Sequence, residues 1–83
     1  MSARRGLKRD RHPMPGFVRS ALLEHGLMAE YLERPSYQQN DYLGWISRAK
    51  REATRQKRLF QMLNELRAHD RYMNMAWRPT RWQ

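Results

Sequence analysis

Residues 36–68 read SYQQNDYLGWISRAKREATRQKRLFQMLNELRA, and the break in the apolar pattern of this stretch decides the fold. Ser36, with Gln39 three places on, has the form of a capping box opening a helix. Tyr42, Leu43, Ile46 and Ala49 then fall on one side, with Trp45 at its edge. At about 100° per residue, that stripe would continue through Ala53 on a straight helix. The next apolar set, Leu59, Met62, Leu63 and Leu66, is centred more than about 100° further round the same cylinder. Two stripes so displaced cannot face one core from a straight rod, so a break near Lys50 to Ala53 is expected. The second helix, roughly Ala53 to Ala68, then presents Leu59, Phe60, Met62, Leu63 and Leu66 inward, with Lys57, Gln61, Asn64 and Glu65 opposite.

Upstream, Pro13 and Pro15 mark the entry to a first helix, where a missing amide costs nothing. Phe17, Val18, Ala21 and Leu22 recur at helical spacing, and Gly26 ends the run after His25. Leu27 to Arg34 reads as a second short helix, stopped by Pro35 because the residue before a proline is pushed out of helical angles. Downstream of His69, Tyr72 to Trp77 reads as extended, and Trp77 to Trp82 as an aromatic and arginine tail. The expectation is an all-α small bundle of three to four short helices, with a helical hairpin or bent pair at 36–68. A disordered basic arm (1–13) precedes the helical domain (14–68), and an extended tail (69–83) follows it.

A chain of 83 residues is one domain at most, and at this size only about 60–65% of the unfolded surface is buried. There is no cysteine, so neither a disulfide nor a thiolate metal site supplements the core, and a cytoplasmic location is expected. No apolar run approaches the roughly 18 residues of a membrane span. Net charge is +9, and 14 of the 17 cations are arginine. Guanidinium groups favour phosphate, because their planar fork can donate two hydrogen bonds; a GC-rich codon bias would produce the same excess without any partner.

The distribution is more informative than the total. Arg4, Arg5, Lys8, Arg9 and Arg11 occupy the arm, and Arg48, Lys50, Arg51, Arg55, Lys57 and Arg58 fall within eleven residues against the single acid Glu52. Like charges at helical spacing repel by about a few tenths of a kcal/mol per pair. A phosphate backbone would relieve that repulsion, with the block as the central footprint and the arm as a second one. For Arg55 a structural alternative stands beside this, since its stem begins the apolar stripe and its head can cap a helix end or pair with Asp41 or Glu52. Trp45 fits the core better than a base-stacking role. Trp77 and Trp82, among arginines, suit stacking on bases or packing back onto the helices.

Catalytic and cofactor signals are poor. There is no glycine-rich phosphate loop and no nucleophile elbow, and His12, His25 and His69 lie at no metal-ligand spacing. Glu24, Glu30, Glu33 and Asp41 read as a solvated face. No enzyme activity, cofactor or metal is expected.

The segment Tyr42-Leu-Gly-Trp45-Ile46-Ser-Arg-Ala49-Lys50, continued by Thr54-Arg55-Gln-Lys-Arg58, resembles the signature of the YdeI/OmpD-associated, or bacteriocin-protection, family. The resemblance covers about residues 36–68. It implies a small bacterial protein, helical in this region, without an established enzymatic activity and linked to envelope stress or bacteriocin tolerance. It also implies that Trp45, Ala49, Lys50, Thr54, Arg55 and Arg58 form a shared element. Many members carry a further N-terminal domain where this chain has only a basic arm. Charge alone points to a binding module for nucleic acid or ribosomal RNA, contacted through Arg48, Lys50, Arg51, Arg55, Lys57, Arg58 and the arm. The resemblance points instead to a protein-interaction or stress-tolerance module, whose cations meet an acidic protein or lipid headgroups. A helix-turn-helix DNA reader fits less well, because no helix offers base-reading amides apart from its apolar face.

Overall fold

The computed structural model describes residues 11–77. Four helices run in order, α1 (Gly16–Glu24), α2 (Met28–Glu33), α3 (Ser36–Arg48) and α4 (Glu52–Ala68), followed by strands β1 (Arg71–Tyr72) and β2 (Met75–Ala76). One core gathers Val18 and Leu22 from α1, Leu27 and Tyr31 from the α2 entry, Tyr42, Leu43 and Ile46 from α3, and Leu59, Met62, Leu63 and Leu66 from α4. The all-α expectation holds, and the break between the two apolar stripes falls at Ala49 to Arg51, where both Ala49 and Arg51 are extended.

Local chemistry explains the ends. α1 closes in a Schellman arrangement: Gly26 takes the left-handed φ of 66°, its amide donates to Leu23 O, and Leu27 N donates to Leu22 O at 2.8 Å. Leu22 and Leu27, the apolar pair that accompanies this motif, are both buried. At the start of α3 the expected capping box does not form. Pro35 precedes the first helical residue, Ser36 makes no capping bond, and the Gln39 amide donates backwards instead, to Arg34 O at 2.8 Å and Leu32 O at 3.3 Å. Those carbonyls stand at the end of α2, where helical partners run out, and Gln39 satisfies them.

Residues 69–77, expected as an extended tail, form a short antiparallel hairpin pairing Arg71 with Ala76 and Tyr72 with Met75. His69 leaves α4 in the left-handed region with φ 72°, and the turn residues Met73 and Asn74 are both left-handed, at 52° and 66°. Two consecutive positive φ values belong to the turn type whose twist matches that of a two-stranded ribbon. Tyr72 reaches from the hairpin to the helices, meeting the Tyr37 and Tyr42 rings edge-on at 6.0 and 5.5 Å and donating its hydroxyl to Asp41 Oδ2 at 2.7 Å. Asp41 is therefore part of the hairpin contact, not of a solvated acidic face.

The end of the expected disordered arm also packs. His12 N donates to Asn40 Oδ1 at 2.9 Å, and the His12 ring lies against Gly44 so closely that a Cβ there would stand 2.6 Å from Nε2. Glycine inside a helix costs up to about 1 kcal/mol relative to alanine, and the absent side chain is the space that the ring fills. Gly44→Ala is therefore expected to stabilise a His12→Ala background by about 0.5–1 kcal/mol and to give less, or nothing, in the wild-type chain. Urea unfolding of the four proteins of the cycle measures this, and an equal effect in both backgrounds would mean that the ring does not occupy the glycine notch.

Candidate cationic interface at the helix junction

Of the six cations between residues 48 and 58, the fold spends two internally. Arg55 pairs with Glu52 at 3.1 Å and donates to Ala49 O at 3.3 Å and Lys50 O at 3.5 Å. Arg58 donates to Trp45 O at 2.6 Å, with its guanidinium 5.3 Å above the centre of the Trp45 ring. The last carbonyls of α3 lack helical partners and carry the negative end of the helix dipole. Two arginines one turn apart on α4 supply the missing donors, so they brace the bend. Arg55, for which the sequence also allowed a structural role, and Arg58 are partly buried and engaged in these contacts, and Trp45, half-buried beneath Arg58, belongs to the same brace.

Arg48, Lys50, Arg51 and Lys57 remain on the outside. All four are exposed, and their side chains have no hydrogen-bond or ion-pair partner among the described residues. They project from the last turn of α3, the connector and the second turn of α4. Arg4, Arg5, Lys8 and Arg9, with Trp82, lie outside the described residues. Trp77 is half-buried, and the Arg34 guanidinium sits 4.5 Å over its ring, so that face is already stacked. Among the described residues no group of three or more histidine, aspartate or glutamate side chains is placed to hold a metal ion, and no helix is long and apolar enough to cross a membrane.

The least legible part of the site is a buried polar cluster behind the junction. Glu65, placed by its helical position on the solvent side, is only 5% exposed. Its carboxylate accepts from Met73 N at 2.8 Å, Asn74 N at 2.7 Å, Gln61 Nε2 at 3.1 Å and the Tyr42 hydroxyl. Its backbone carbonyl accepts from Arg34 Nη2 at 2.8 Å, while Arg34 Nη1 donates to Gln38 Oε1 at 3.1 Å. Arg34 and Gln38 are buried as well. Burial pushes the Tyr42 hydroxyl far above its usual range, and the Glu65 acceptor adds to the shift because an ionised phenol could not donate to a carboxylate; the positive Arg34 only partly offsets this. Burial alone pushes Tyr31 up to about 12.

A family profile described as "Bacteriocin-protection, YdeI or OmpD-Associated" matches residues 13–69. No curated protein and no solved structure matches the chain. The matched span runs from Pro13 to the left-handed His69, which covers the whole helical region and stops before the hairpin.

The two buried tyrosines set an alkaline limit on stability. Both keep their protons in the folded chain and lose them near pH 10 in the unfolded one, so the folded state holds the extra protons and stability falls as pH rises. The decline is expected to begin near pH 10, at about 1.4 kcal/mol per pH unit for each tyrosine, and Tyr31 ceases to contribute above about 12. Urea unfolding between pH 8 and pH 12 reads the slope, which Tyr31→Phe should reduce; an unchanged slope in that variant refutes the assignment. Independently, Glu65→Ala is expected to cost about 3 kcal/mol, because it leaves the Tyr42 hydroxyl and two turn amides without their acceptor.

Proposed function

The chain belongs to the YdeI/OmpD-associated, bacteriocin-protection family, and we propose that it is a non-catalytic cytoplasmic interaction module whose exposed cations receive an acidic protein surface. The observation that carries this reading is the division of labour at the helix junction. Arg55 and Arg58 hold the bend, while Arg48, Lys50, Arg51 and Lys57 stay exposed and unpaired among the described residues. A rigid bend that displays four cations favours rapid, charge-steered association with an oppositely charged surface.

A protein partner is favoured over nucleic acid by the aromatic side chains. Non-specific single-strand binders stack bases on exposed rings beside a positive groove. Here Trp45 and Trp77 are each covered by an arginine, and the aromatic ring that α4 leaves open, Phe60, stands beside a groove whose walls suit an apolar side chain. The family description, which concerns bacteriocin protection, adds support for a module that acts on or with another protein.

Affinity capture by the tagged chain from bacterial lysate, with and without nuclease, tests this. One stoichiometric acidic protein is expected to survive nuclease, to be released at raised ionic strength, and to be lost in the double variant Arg48→Glu/Arg51→Glu. Release of all bound material by nuclease would replace the protein reading with a nucleic-acid one.

A further inference from the structure

On α4 the side chains of Lys57, Phe60, Asn64 and Arg67 follow one another at helical spacing along the side turned away from the core, and all four are exposed. Phe60 is the anomaly in that row. The residue is 54% exposed, on a helix whose other large apolar side chains, Leu59, Met62, Leu63 and Leu66, are buried. It stands as a ridge between two grooves. The narrower, of about 390 Å³, runs between α4 and α1 and is lined by Phe17, Ala21, Leu59, Phe60 and Leu63, with Glu24 and His25 at one end. The wider, of about 640 Å³, runs between α4 and the hairpin and is lined by Lys57, Phe60, Gln61, Asn64, Arg71 and Asn74.

We propose that the Phe60 ridge is a docking surface for an acidic segment of a partner protein that carries one large apolar anchor residue, the anchor entering the narrower groove and the acidic residues lying over the wider one. This deepens the module reading and rests on it, since both require an acidic protein partner. Charge decides the occupant. Lys57 and Arg71 are the cations of the wider groove. The one carboxylate lining that groove, Glu65, is buried and turned onto four neutral donors, so the groove sets two exposed cations against one buried acid and its charge stays positive. A second copy of this chain would carry the same net charge of +9 and the same two cations in its own groove, and like charge in apposition opposes that pairing. The narrower groove supplies apolar walls, including Phe17, itself 36% exposed, and an aromatic anchor in a pocket is the arrangement that dominates most protein interfaces. Lys57 joins the ridge to the junction cations, so one partner can span both.

The test titrates the full chain with a short fluorescent Glu-rich peptide carrying one central Trp, and with the same peptide carrying Gly in its place, at low and moderate salt. The Trp peptide is expected to bind about tenfold tighter or more, and Phe60→Ser should remove that advantage. Arg48→Glu/Arg51→Glu should weaken both peptides alike. Equal, salt-sensitive binding of the two peptides, or a Trp preference that survives Phe60→Ser, overturns the ridge while leaving the module reading intact. Absence of binding by either peptide overturns both. Amide shift mapping on the unaltered chain provides a second measurement should the variant unfold. Changes centred on residues 17–25 and 56–71 are the expected result, and changes confined to residues 48–51 count against the ridge.

Discussion

The carboxylate of Glu65 is the constraint on which the rest of the structure depends. An ionised carboxylate removed from water costs several kcal/mol unless its lone pairs are filled, and here four donors from three separate pieces of the chain fill them. Gln61 comes from the preceding turn of the same helix, Tyr42 from α3, and two consecutive amides from the hairpin turn. The last pair is the most telling. Met73 and Asn74 are held at positive φ, where a side chain other than glycine is strained by about 1 kcal/mol or more. A turn in that conformation aims successive N–H groups at one point, which makes a small anion site. Glu65 is that anion, and the strain of the turn is offset by the bonds that it makes possible.

The same helix performs a second bracing task at its other end. Near the N-terminus of α4, Arg58 donates to Trp45 O in the last turn of α3 and Arg55 to Ala49 O just beyond it; near its C-terminus, the backbone carbonyl of Glu65 accepts from Arg34 at the α2–α3 corner. α4 is thus tied at both ends to the corners of the preceding helices by arginine-to-carbonyl bonds. Charge-assisted hydrogen bonds of this kind are stronger than neutral ones, and a planar guanidinium can bridge two acceptors where a lysine ammonium could not hold the same geometry. Part of the arginine excess is therefore architectural.

Much of the helical scaffold was legible because it rests on local rules. The prolines at 13, 15 and 35, the glycine at 26 and the phase jump between the Leu43–Ile46 and Leu59–Leu66 stripes each report backbone geometry directly. The hairpin was not legible, because Met73-Asn74 is a weak turn signal whose conformation is secured by a residue eight positions away. Nor was the division among the cations, since capping of α3 by Arg55 and Arg58 exists only once the bend is closed. Arg34 and Gln38 are polar residues beside a proline corner, and nothing in their spacing distinguishes burial from exposure.

Phe60 and Glu65 expose the limit of helical periodicity most clearly. At about 100° per residue, the centre of the Leu59, Met62, Leu63 and Leu66 stripe lies about 110° from Phe60 on one side and about 110° from Glu65 on the other. Pattern alone makes the two flanks equivalent and, by hydrophobicity, would bury the phenylalanine and expose the glutamate. The fold does the reverse, because the hairpin offers amides that only the glutamate flank can accept, whereas on the phenylalanine flank an open groove separates α4 from α1. A single polar interaction therefore selects which side of α4 is closed, and the choice that seals Glu65 is also the one that leaves an aromatic ring standing in solvent beside Lys57.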